Sequence, residues 1–145
     1  MANTTYLRKN VEEYVRKELA REFGIAFKPR LLTLITGGTH EFDAVSDDGT
    51  IVASIKTAGG KTARGRVPSG KIKNAEAELY YLTLVSASKR LLVFTSQEFY
   101  QIMSARLEGR LAPGLSLKLV LLPRNMQEEI KRIQRVASNE VSKLR

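Results

Sequence analysis

The chain has 145 residues, 43% of them apolar and 27% charged, with a formal charge of +9, a single histidine and no cysteine. This describes a single globular domain of a size that buries roughly 68–70% of its unfolded surface. It excludes a disulfide framework, thiol nucleophiles and any multi-histidine zinc site. From the N-terminus, MANTTYLRKN is polar and carries no apolar export core, so a cytoplasmic location is expected. No apolar run approaches the ~20 residues that cross a bilayer, so no membrane role is expected. Residues 4–23 repeat apolar side chains at Leu7, Val11, Tyr14, Val15, Leu19 and Phe23, a helical stripe that stops at Gly24.

The run LLTLIT (31–36) reads as a short strand. Residues 42–46 and 51–57 read as two more, joined by Asp47-Asp48-Gly49-Thr50, where Asp-Gly signals a tight hairpin. From Lys56 to Lys73 the chain holds six basic residues and no acid, in a Gly-, Ser- and Thr-rich stretch that reads as a mobile loop. Its Lys61, Arg64, Arg66, Lys71 and Lys73 are candidate contacts for the phosphates of nucleic acid, since a basic field draws polyanions. Residues 75–85 form a helix with Ala75, Leu79, Leu82 and Val85 on one side, and 91–95 (LLVFT) form a buried strand. A helix over 98–108, a strand over 115–122 and a last helix from Asn125, with Glu128 as its capping-box partner, complete the order. Helix, three strands, helix, strand, helix, strand, helix describes one α/β domain, residues 1–145, with a mixed central sheet flanked by helices.

The hairpin carries the chemistry. Strand alternation puts Glu41 and Asp43 on one face and Ser54 and Lys56 on one face of the partner, with Phe42, Ala44, Ala53 and Ile55 turned to the core. A carboxylate and an ammonium then meet near a strand end, where functional groups gather, although a plain surface pair has the same spacing. In the next helix, KNAEAELYYL, periodicity sets Glu78 on the inward stripe and turns Glu76 away from it. A carboxylate on that stripe needs a partner, either a metal ion or Lys56. His40 reads as a turn residue, with a base or ligand role as the sharper alternative. Gly37 and Gly38 offer positive φ and close approach to a phosphate, and Tyr80 and Tyr81 read as packing residues.

Asp43 in HEFD, followed by a hairpin and then Lys56 in SIK, inside this order of elements, resembles the PD-(D/E)xK phosphodiesterase superfamily of restriction-endonuclease-like fold. The likeness spans roughly residues 4–95. It implies an αβββαβ core with a C-terminal α-β-α extension, and hydrolysis of nucleic acid, DNA before RNA, with Mg²⁺ or Mn²⁺. The resemblance implies catalytic roles for Asp43, Lys56, Glu78 and Glu12, with Glu13 as runner-up for the last. It implies metal ligation by Asp43, Glu78 and the backbone carbonyl near Ile55. The sequence departs from the pattern at Ser54, where the motif has an acid and a hydroxyl is a poorer ligand for a hard cation. Some superfamily members carry that acid on the following helix, which is the place of Glu78, while Glu41 is a further candidate to compensate. An inactive nuclease-like domain that binds nucleic acid, and a basic interaction module of a defence or repair complex, are the competing expectations. A homodimer is expected on the general frequency of closed two-fold assemblies.

Overall fold

The computed structural model describes residues 2–57 and 69–143. Among them the elements run α1 (Ala2–Phe23), β1 (Phe27–Thr33), β2 (Thr39–Ser46), β3 (Ile51–Lys56), α2 (Ser69–Thr83), β4 (Lys89–Phe94), α3 (Gln97–Arg106), β5 (Leu115–Leu119) and α4 (Arg124–Lys143). The strands form one open mixed sheet in the order β1-β2-β3-β4-β5. The first two pairings are antiparallel and the last two parallel. Parallel neighbours need crossover connections, which α2 and α3 supply.

Alternation along the strands builds a core on each face of the sheet. Val15 and Leu19 of α1 pack on Ala44, Ala53, Ile55 and Val93. On the opposite face, Leu79 and Leu82 of α2 and Phe99 and Met103 of α3 pack on Phe42, Val52, Leu92 and Phe94. The amphipathic α4 rests Met126, Ile130 and Ile133 on Leu7, Val11 and Leu122. Each fully buried Leu or Phe contributes about 1.5–3 kcal/mol, so these faces dictate how the helices rotate.

Several boundaries differ from the sequence reading. The first strand begins at Phe27, not Leu31, and includes Pro29. Proline fits there because β1 is an edge strand, and Pro29 sits where its register with β2 shifts. Of the apolar residues that suggested the later strand, Leu31 and Ile35 are exposed while Leu34 is buried. Helix α2 starts at Ser69, six residues before its apolar stripe, so Lys71 and Lys73 are helical and not part of a loop. Lys61, Arg64 and Arg66 lie outside the described residues. Glu128 pairs with Arg124 at 3.3 Å within α4, in place of the expected capping box.

Candidate active site

The hairpin register is fixed at its tip. Asp48 Oδ1 accepts from Ser46 Oγ at 2.7 Å, Thr50 N at 3.0 Å and Thr50 Oγ1 at 2.7 Å. These bonds hold the Asp48 carboxyl below its ordinary range, the Thr50 N–H first. Gly49 supplies the positive φ of 74° that the turn needs. From that tip, β2 and β3 pair at Val45↔Val52 and Ala44↔Ala53.

Beyond Ala44 the strands part, and the cause lies across the other edge of β2. Lys28 pairs with Val45 and Arg30 with Phe42, so two steps on β1 face three on β2. The extra residue is a β-bulge, a device that re-aims a side chain and ends pairing. It also corrects the expected alternation: Phe42 joins the α2 core while Ala44 joins the α1 core. Asp43, between them, turns into the gap, and its Oδ2 accepts the Ile55 N–H at 2.7 Å. A carboxylate has taken the place of a backbone carbonyl in the ladder. Arg16 of α1 donates to the Asp43 carbonyl at 3.1 Å and holds the bulge open.

Lys56 ends β3, its carbonyl accepting from Thr95 N at 3.2 Å and its side chain half-buried. Glu78 stands on α2 one residue before buried Leu79, and half-burial of its charge demands partners. Among the described residues, the side chains that meet it do not include Lys56, the protein partner the sequence suggested. Ser54, fully buried, donates to Glu78 Oε2 at 2.8 Å. His40 Nε2 lies 3.3 Å from both carboxylate oxygens. His40 itself is a strand residue, stacked on Tyr81 at 3.9 Å and 8° and edge-on to Phe42. Tyr81 therefore packs as expected, whereas Tyr80 is exposed. Glu76 points away from the site and pairs with Arg106 at 3.3 Å. Gly37 has the positive φ anticipated and Gly38 does not, and neither lines the cleft.

One cleft of about 890 Å³ brings the candidates together. Glu12, Asp43, Ile55, Lys56 and Glu78 all line it, together with Glu13 and Glu41. Arg8, Lys9 and Arg16 of α1 and Lys71 of α2 add positive charge to the same walls. Burial holds the Asp43 carboxyl above its ordinary range, and the Glu78 charge pushes the same way, against the Ile55 N–H, Lys56 and Arg16. Burial also raises Glu12, with the Asp43 charge next in effect. Glu12, Asp43 and Glu78 thus form one repelling set, coupled through Asp43.

A cation would relieve that repulsion. Among the described residues, no group of three or more His, Cys, Asp or Glu side chains is arranged to hold a metal ion. Mg²⁺ does not require one, because it takes one or two carboxylates and keeps several waters. Asp43, Glu78 and a backbone oxygen of Ile55 are hard donors of that kind on one cleft, so the residues fit the ion. No protein-family model matches this chain, and no curated protein or solved structure matches it.

Sequence reasoning missed Arg16, and raised His40 and Ser54 without their contacts to Glu78. Arg16 and His40 act across elements distant in the chain, and spacing along one element does not reveal such contacts. Ser54 did leave a trace: it is a polar residue inside the buried run Ile51–Ile55.

Proposed function

We propose that this chain is a metal-dependent nuclease of restriction-endonuclease-like fold that hydrolyses phosphodiester bonds of nucleic acid, DNA before RNA. The observation that carries the reading is the convergence of Asp43, Lys56 and Glu78 on one cleft, where β2 and β3 part around a bulge. Ser54 fits the same reading. Its hydroxyl binds the Glu78 carboxylate, so the acid absent from β3 is replaced from α2 at the same spot.

A metal answers a local charge problem. The cleft walls balance five carboxylates against five basic residues, but Glu12, Asp43 and Glu78 repel one another through Asp43 and would repel a phosphodiester brought between them. Asp43, Glu78 and the Ile55 carbonyl would hold Mg²⁺ or Mn²⁺, which when bound polarises a phosphate and lowers the pKa of an attacking water. Lys56 supplies the ammonium that orients that water or steadies charge gathering on the phosphate. Glu12, its carboxyl raised by burial, is placed to exchange a proton at the cleft wall. Arg8, Lys9 and Lys71 offer contacts to neighbouring phosphates.

The test is nicking of supercoiled plasmid with Mn²⁺ or Mg²⁺. Wild type converts it to open circles; Asp43→Ala, Lys56→Ala and Glu78→Gln, each shown to be folded, do not. Binding with a steep salt dependence and no cleavage, in wild type as in the variants, would replace this reading with a nucleic-acid-binding domain.

A further inference from the structure

The contacts of Glu78 with the described residues show which of its oxygen positions those residues occupy. A carboxylate offers about four lone-pair sites, two on each oxygen. Oε2 uses both, one for Ser54 Oγ at 2.8 Å and one for His40 Nε2 at 3.3 Å. Oε1 uses one for the same His40 nitrogen, at the same distance. A carboxylate only accepts, so this contact requires the proton on Nε2. Equal distances set that nitrogen astride the two oxygens, where it competes with an ion that both would grip. The ring is fixed there by Tyr81 stacked at 3.9 Å and Phe42 against its edge. His40 is not among the residues that line the cleft; it stands behind Glu78.

We infer that His40 is a positioning residue that sets the ion preference of the site, by covering the chelating edge of Glu78 so that, among the described residues, a single Oε1 position is left to a metal. The inference rests on Glu78 being a metal ligand, as proposed above. One oxygen from Glu78 suits Mg²⁺ and Mn²⁺, whose compact octahedral shells take single oxygens and water. Ca²⁺ takes six to eight oxygens and readily uses both oxygens of a carboxylate, so the covered edge disfavours it.

Calorimetric titration of the whole chain with Mn²⁺ and with Ca²⁺, without nucleic acid, tests this apart from activity. His40→Phe keeps a ring on Tyr81 and removes the donor; His40→Leu is a second non-donor should the first not fold. In either, Mn²⁺ affinity falls by roughly 10–100-fold, as expected for loss of an outer partner of a ligand, while Ca²⁺ affinity holds or rises. His40→Gln restores an N–H and keeps the wild-type preference for Mn²⁺. Equal losses for both ions, no change, or a Gln variant that behaves like Phe would overturn the role of His40 and spare the nuclease reading. Wild type that binds no Mn²⁺ at all would overturn both.

Discussion

Asp43 is asked to do two jobs, and two substitutions separate them. In the ladder, its Oδ2 is the acceptor for the Ile55 N–H at 2.7 Å, and Ile55 is buried. In the cleft, its charge is costly, because burial and the Glu78 charge hold its carboxyl above the ordinary range. Asp43→Asn removes the charge and keeps an acceptor; Asp43→Ala removes both and orphans a buried N–H, which costs about 1–3 kcal/mol. For a domain of this size each kcal/mol moves the thermal midpoint by about 2–4 °C. Asp43→Ala should therefore melt roughly 2–12 °C below Asp43→Asn, by circular dichroism at neutral pH without divalent ions. The sign of the pH effect follows from the raised carboxyl. A raised acid favours the fold in its protonated form, so wild type carries no charge penalty below the unfolded value of about 3.9. The penalty grows as pH rises through the higher folded value, and Asp43→Asn should gain on wild type over that same interval. Neither variant should nick plasmid. Identical midpoints for Asn and Ala would refute the placement of this carboxylate in the sheet's bonding.

Two further outcomes follow from other groups. Asp48, depressed by its three donors, contributes stability that is present at neutral pH and lost as pH falls through its folded value. Asp48→Ala should lower the melting midpoint at pH 7, and the gap to wild type should close in acid well below about pH 3.9. At the cleft wall, the double variant Arg8→Ala/Lys9→Ala should flatten the plot of log affinity for duplex DNA against log salt. Loss of two phosphate contacts reduces the slope by about 1.8; an unchanged slope would take α1 off the nucleic-acid path.

Much of the fold was legible because it follows from apolar periodicity. The α1 stripe, the Asp-Gly hairpin and the Ala75, Leu79, Leu82 face of α2 are local patterns, and they place Glu12, Asp43, Lys56 and Glu78 on elements that meet. What escaped was the geometry between elements. Strict alternation put Phe42 and Ala44 on one face, and the bulge sets them on opposite ones. Pro29 was the available clue. It falls between Lys28 and Arg30, across from the extra residue of β2, and proline within a sheet is confined to edges and bulges. The partners of Glu78 were hidden for a similar reason: Ser54 and His40 lie 24 and 38 residues away in the chain. The start of α2 escaped because its first turns are polar and present no stripe to count.

The sheet's strands lie side by side in the same sequence in which they are synthesised. The acids and the amine of the proposed site fall between residues 12 and 78, on the first two helices and the second and third strands. The later strands accrete on the far margin, one after another. Changes confined to the outer margin of β5 would leave the split between β2 and β3 untouched, whereas α3 and α4 are tied to it, Phe99 by lining the cleft and α4 by packing on Leu7 and Val11 of α1.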